Sequence, residues 1–146
     1  MDPYFLSDNY LLRGATLGDV DTIHVICEMK EFAPGDMFVR ANDKNRDIMV
    51  VIEGRARVET TQGDLIEELR AGAMIGEISF LDGNSRTANV TSVGNSKIVV
   101  IPAARLNELM AKTPHLAVII YRNAALALCQ RLRDANQQIE RMLVPQ

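Results

Sequence analysis

Gly72-Ala73-Met74-Ile75-Gly76-Glu77-Ile78-Ser79-Phe80-Leu81-Asp82-Gly83-Asn84-Ser85-Arg86-Thr87-Ala88-Asn89-Val90 carries most of the chemistry of this 146-residue chain. Gly76 permits a tight turn or a close approach of the backbone to a ligand. Ile78 to Leu81 can form one helical turn whose first N–H groups lack internal partners, and such ends favour anions. Arg86, nine residues after Glu77, carries a planar fork suited to phosphate oxygens. Glu77 offers paired acceptors suited to a hydroxyl. Together they can take an anion and a sugar hydroxyl side by side. In an arbitrary protein the same residues would more often pair with each other or with water around a turning glycine.

Outward from this stretch the chain reads as short β-branched runs: Ile23–Phe32, Asp47–Glu53, Arg55–Thr60, Asp64–Leu69, Thr87–Val93 and Lys97–Ile101. Turn signals such as Ala33-Pro34-Gly35-Asp36, Asn42-Asp43-Lys44-Asn45 and Gly94-Asn95 separate them. The pattern predicts a mainly β fold with flanking helices, an antiparallel, jelly-roll-like β-roll over residues 23–101. The quoted stretch, 72–90, would lie at its mouth. Glu53-Gly54-Arg55 and Thr61-Gln62-Gly63-Asp64 read as hairpin connections. Residues 1–22 have no clear period and read as a loosely held arm with room for one short helix.

Residues 102–146 read as C-terminal helices. Pro102 suits a first turn, Ala103–Lys112 follows as a helix, and Thr113-Pro114 ends it and starts the next. His115–Met142 contains no Gly or Pro and reads as one long helix. Along it Tyr121, Ala125, Leu128, Leu132, Ala135, Ile139 and Met142 recur at alternating four- and three-residue steps. That is a heptad seam. It packs either on the protein's own roll or on a second copy. The overhang expected beyond Arg133 favours the second.

Composition excludes several classes. Hydrophobic residues at 47% and charged residues at 24% are globular proportions, and a net charge of −3 does not suit a coat for nucleic acid. Cys27 and Cys129 make no disulfide framework, and no charged-then-apolar leader opens the chain. The longest near-apolar stretch, Leu116–Cys129, is short and broken by Arg122 and Asn123, so no membrane insertion is expected. A cytoplasmic protein follows. His24 and His115 stand far apart, which argues against a metal. His24 and Cys27 read as half-core strand residues and Cys129 as helix packing. No Gly-x-Ser-x-Gly elbow or Walker-type loop is present, so neither catalysis nor a cofactor is expected.

The quoted stretch resembles the phosphate-binding cassette of the cyclic-nucleotide-binding domain family, found in catabolite activator proteins, cyclic-nucleotide-dependent kinases and gated channels. Members carry Gly-Glu, a short helical turn, then Arg, Ser/Thr, Ala and an apolar residue. Here these are Gly76-Glu77, Arg86-Thr87-Ala88 and Val90. Phe32–Asp36 and Asp47–Val58 are similar to the family's opening strands, and the resemblance spans about Glu28–Met142. It implies that Glu77 accepts from a ribose 2′-hydroxyl beside the turning Gly76. Arg86 would meet the cyclic phosphate, helped by Thr87 and by the N–H groups of Ile78, Ser79 and Ala88. The long helix would close over the purine, with Arg131, Ala135 and Asn136 as lid contacts. Two positions depart from the family: Ser85 stands where many members have proline, and Ala135 replaces a hydroxyl residue at the lid.

Two functions stay open. One is a regulatory sensor that binds cyclic AMP or cyclic GMP and signals through movement of its C-terminal helix, as a weak homodimer through that helix. The other is a structural or interaction module of the same fold that binds no nucleotide. The Glu77/Arg86/Thr87 set favours the first. Only Leu143–Gln146 follow Met142, too few for the DNA-reading helices of some relatives, so no nucleic-acid partner is expected. Arg122, Arg131, Arg133 and Arg141 read as a solvated helix face.

Overall fold

Ile98-Val99-Val100-Ile101 ends the strand around which the other elements are arranged, and all four residues are buried. The run is unbroken because the strand has a core on each face. Ile98 packs with Val51 inside the roll, whereas Val99 and Ile101 pack with Val50 toward the helices. A strand buried on one face alternates; one buried on both does not.

The computed structural model describes Leu6 and residues 9–145. Six strands form one antiparallel sheet: β1 (Glu28–Phe32), β2 (Met37–Val39), β3 (Ile48–Glu59), β4 (Leu65–Arg70), β5 (Met74–Ile75) and β6 (Asn89–Ile101). Their order is β1-β6-β3-β4, with β2 paired to β6 and β5 to β3. Flanking it are α1 (Leu17–Ile26), α2 (Glu77–Asp82), α3 (Ala103–Lys112) and α4 (Pro114–Leu143). The mainly β roll with flanking helices and a long C-terminal helix is as expected. No helix among the described residues is long and apolar enough to cross a membrane.

Three expectations are corrected. Glu53-Gly54-Arg55 is not a hairpin but a bulge within β3, where the register against β6 shifts. Gly54 has φ +88°, and a Cβ there would lie 2.5 Å from the Asn95 carbonyl oxygen. Glycine is thus required by a strand approaching from across the sheet. Gly94-Asn95 likewise ends no strand, since β6 runs through it, but residues 94–96 are skipped in the ladder to β3 at this same irregularity. The other connection, around Gly63, is the hairpin between β3 and β4.

The second correction concerns the N-terminus. Ile23–Ile26 is the end of α1 rather than a strand, so His24 is helical and Cys27 is the helix's C-cap. Thr16 and Asp19 form a reciprocal capping box that starts α1, and Val20 and Ile23 bury its inner face. The described part of the arm before it is held in place. Leu6, Leu11 and Leu12 are buried, and Tyr10–Leu12 forms a 3-10 turn. Asn123, buried on α4, donates to the carbonyls of Leu11 at 2.7 Å and Arg13 at 2.9 Å. Residues 1–5, 7 and 8 of the expected arm, and Gln146, lie outside the described residues.

The third concerns α4. The stripe it turns to the core is Leu116, Ile120, Asn123 and Ala124. The predicted seam lies beside that stripe, and most of it faces outward. Leu132 is 64% exposed, Ile139 53% and Met142 83%. Leu132, Ile139 and Met142 therefore do not pack on the protein's own roll, whereas Tyr121 at the start of the seam does. Cys129 is exposed rather than packed.

Candidate functional site

The turn into α2 is built by Gly76, which occupies the left-handed region at φ +92° as the helix N-cap. A Cβ at this position would collide with the Arg86 guanidinium and lie 2.6 Å from the Asp47 carbonyl oxygen. The first intrahelical bond of α2 runs from Phe80 N–H to the Gly76 carbonyl at 3.1 Å. Ile78 and Ser79 precede it, so their N–H groups have no partner within the helix. Phe80 stacks on Tyr121 of α4 with centroids 6.2 Å apart, and Gly83 ends α2 in a second left-handed turn.

Glu77, the first residue of α2, is fully buried. Neither of its carboxylate oxygens accepts a well-aligned hydrogen bond from another described residue. Arg131, reaching down from α4, forms an ion pair with it and donates to the Met74 carbonyl at 2.8 Å. Burial pushes Glu77 above the ordinary carboxylate range, while Arg131 and Glu77's own backbone N–H act the other way. Burial and the Glu77 charge also push the hydroxyl of nearby Tyr10 up to about 12.

Arg86 is buried on the facing wall. Its guanidinium donates to the Gly76 carbonyl at 3.2 Å, to Asn45 Oδ1 at 2.9 Å and to the Asp47 carbonyl at 2.6 Å. Three of the five N–H donors of an arginine are thereby used. Burial lowers Arg86 from its ordinary value, and the charges of Asp47, Asp43 and Glu77 oppose that. Its backbone is pinned as well: Arg86 N–H donates to the Asp43 carbonyl, and Asn42 N–H to the Arg86 carbonyl, both at 2.8 Å.

Gly76, Glu77, Ile78, Ser79, Arg86, Thr87, Ala88 and Arg131 together line one cavity of about 70 Å³. All eight are among the residues singled out in the sequence, Thr87, Ala88 and Arg131 through the family resemblance alone. An outer cavity of about 520 Å³ shares Val58, Ile78, Thr87, Ala88 and Arg131 as walls. Ala135 lines this outer space, but Asn136 does not. Asp134 and Gln138 stand there instead, because positions 131, 134/135 and 138 repeat at helical spacing and 136 falls off that face. Asn45, Asp47 and the Glu77 partnership of Arg131 were missed. Asn45-Arg46-Asp47 had a local signal, an Asx-type turn in which Asp47 N–H donates to Asn45 Oδ1 at 2.9 Å.

A buried cation, unpaired N–H groups and a buried carboxylate short of donors share one small space. Such a site can hold an anionic group next to a hydroxyl. Among the described residues no group of three or more His, Cys, Asp or Glu could hold a metal. His115 instead pairs with Asp19 at 2.8 Å.

Residues 29–113 match the family described as "Cyclic nucleotide-binding domain". The chain is 31% identical over 114 residues to the cyclic nucleotide-gated channel alpha-2 of Bos taurus, covering 73% of this chain and 17% of that one. It thus spans less than a fifth of the curated channel relatives it matches. A cyclic nucleotide-binding domain from Methylobacillus flagellatus superposes with TM-score 0.85 at 20% identity, covering 99% of this chain and 87% of that one. Thermus thermophilus catabolite activator protein gives TM-score 0.76 at 22% identity, covering 92% and 63%. The chain belongs to the cyclic nucleotide-binding domain family.

Proposed function

We propose that this chain is a sensor that binds cyclic AMP or cyclic GMP at one site and signals through α4. The observation that carries the reading is Glu77, a fully buried carboxylate with unmet acceptor capacity beside the buried Arg86. Such a group is costly to keep unless a ligand donor satisfies it. In this reading the ribose 2′-hydroxyl donates to Glu77. The cyclic phosphate takes Arg86, the N–H groups of Ile78, Ser79 and Ala88, and the Thr87 hydroxyl. The purine occupies the outer cavity between Val58 and Ala135. Because Arg131 already holds Glu77, the ribose and α4 share one carboxylate, and occupancy is felt by the helix.

The exposed Leu132, Ile139 and Met142 support a homodimer through the distal half of α4. Free Cys27 and Cys129 suit a reducing, cytoplasmic setting. The chain would be the ligand-reading part of whatever it regulates. Calorimetric titration with both nucleotides tests the reading. A single site with micromolar or tighter affinity, about −8.2 kcal/mol at one micromolar, is expected. Absence of heat and of competition with either nucleotide would leave the alternative, a structural module.

A further inference from the structure

The geometry points to a second ligand site, between the N-terminal 3-10 turn and α4, that takes a small carboxylate with an apolar body. A cavity of about 410 Å³ lies there, with walls from Tyr10 and Arg13 on one side and from α4 on the other. Arg131 is the one residue it shares with the cavity of Glu77 and Arg86. Clefts of this size, preformed and mostly apolar with a few polar groups, are where small molecules bind.

The cavity is preformed because its walls are tied together. Asn123 of α4 donates both of its amide N–H groups, to the carbonyls of Leu11 and Arg13. Buried Asn9 donates to the Gly72 carbonyl at 3.2 Å and accepts from Leu11 N–H at 2.9 Å. Positions 123, 126, 127 and 130 repeat at helical spacing, so they form one face of α4. On that face Leu126 and Ala127 make an apolar floor beside Tyr10. Leu126 is 54% exposed, so an apolar body laid on it removes area that the fold leaves in water. The heptad seam runs through 121, 125, 128 and 132 instead, and the homodimer does not claim these residues.

The rim carries charge of one sign. Two arginines line the cavity and no Asp or Glu does. Arg13 is exposed, and among the described residues its guanidinium has no ion-pair or hydrogen-bond partner. Arg131 spends donors on Glu77 and on the Met74 carbonyl, which leaves three of the five that an arginine has. The amides contribute less: Asn123 is spent on the turn, and Gln130 Nε2 donates to Asp134 at 3.0 Å. Guanidinium groups therefore hold most of the unused donors. The two oxygens of a carboxylate match one such planar fork. An inorganic anion could use the fork but would leave Leu126 and Tyr10 uncovered.

Titration of octanoate into the full chain, followed by NMR, tests the site, with octanol, octylamine and inorganic phosphate as comparisons. Saturable binding at one site with a Kd of about 1 mM or tighter is expected, with shifts centred on Tyr10, Leu126 and Ala127. The three comparison compounds should bind about tenfold more weakly or worse, each lacking either the charge or the apolar body. Arg13→Ala removes only an exposed side chain and should weaken octanoate about tenfold or more. Leu126→Asn should weaken it as well, whereas Arg86→Ala should bind it like the parent. If octanol, octylamine or phosphate binds as tightly as octanoate, or if Arg13→Ala binds like the parent, the site is overturned. Shifts centred on Arg86, with displacement of octanoate by cyclic AMP, would equally overturn it. The octanoate titrations need no nucleotide, so failure of the nucleotide reading and failure of this site are told apart.

Discussion

Arg131 of α4 forms an ion pair with Glu77 at the start of α2, and the two differ sharply in burial. Arg131's side chain is 34% exposed, whereas that of Glu77 is fully buried. Removing the arginine leaves a buried carboxylate without its ion-pair partner and with only the more distant charge of Arg86, whereas removing the carboxylate leaves an arginine that water can reach. Arg131→Ala is therefore expected to cost about 1–3 kcal/mol of stability without ligand. Glu77→Gln should cost well under 1 kcal/mol, about that of a partly solvated pair. Urea midpoints on the two variants check this. Equal losses would show that the asymmetry in burial is without energetic consequence.

Gly76 lets Arg86 sit where it does. Its φ of +92° is strained for any other residue, and a Cβ would also collide with the guanidinium. Gly76→Ala should cost about 1–3 kcal/mol in strain and displace Arg86 from the cavity. Nucleotide affinity should fall by roughly as much as in Arg86→Ala, tenfold or more for a charge-assisted contact. An alanine variant that binds like the parent would refute the packing argument.

How legible these features were depended on the range of the interaction that sets them. The span of α3 and the helical turn of α2 are set by neighbours: Pro102, Thr113-Pro114, Gly76 and Gly83. They were read from sequence. Gly54 could not be, because a positive-φ glycine serves a hairpin or a bulge equally well. The choice is made by Asn95, which lies on another strand. Ile23–Ile26 looked like strand on β-branched content, and the capping box at Thr16 and the burial of Val20 and Ile23 overrode that propensity. At the site, the side chains of the cassette were readable because they lie within one short segment. The Asp47 and Arg131 contacts join positions 39 and 57 residues apart, and no local pattern announces them.

The outward seam of α4 gives an association prediction. Leu132, Ile139 and Met142 are more than half exposed, and the small Ala135 between them permits close backbone approach. A weak dimer is expected, so the light-scattering mass should rise with concentration. Leu132→Glu should abolish that rise without altering the thermal midpoint of the dilute protein. A mass that stays monomeric at high concentration, with and without nucleotide, would end the idea.

Thr87 is exposed beside Arg86 and lines both cavities. Its hydroxyl can serve the phosphate of either nucleotide, and can also accept from the 2-amino group that guanine has and adenine lacks. Thr87→Ala is expected to weaken cyclic GMP more than cyclic AMP, by up to about tenfold, one hydrogen bond at a wet site. Titrating both nucleotides on parent and variant decides it. Equal losses would confine Thr87 to the phosphate.

Asp19 ties the start of α1 to the start of α4, which makes the junction pH-sensitive. Its carboxylate accepts from Thr16 N–H at 3.1 Å and from His115 Nε2 at 2.8 Å, while its own N–H donates to Thr16 Oγ1 at 3.1 Å. Burial alone would raise Asp19, but the bonds to His115 and Thr16 outweigh it and hold the group below its ordinary 3.8. The folded state thus releases this proton more readily than the unfolded chain does. Between the two values the unfolded state binds more protons, so stability rises with pH there. The contribution is complete above the ordinary carboxylate range and is lost as pH falls through the depressed folded value. Asp19→Asn keeps the shape but cannot titrate, and it weakens the bond to His115. It should cost about 1–2 kcal/mol at neutral pH, the usual range for a helix cap with a buried hydrogen bond. That deficit should close as the pH falls below the ordinary 3.8 and through the depressed folded value. Urea denaturation of parent and variant across this range is the measurement. A deficit that stays constant with pH would mean that the Asp19 charge adds nothing to the junction, and that its contacts act only through shape.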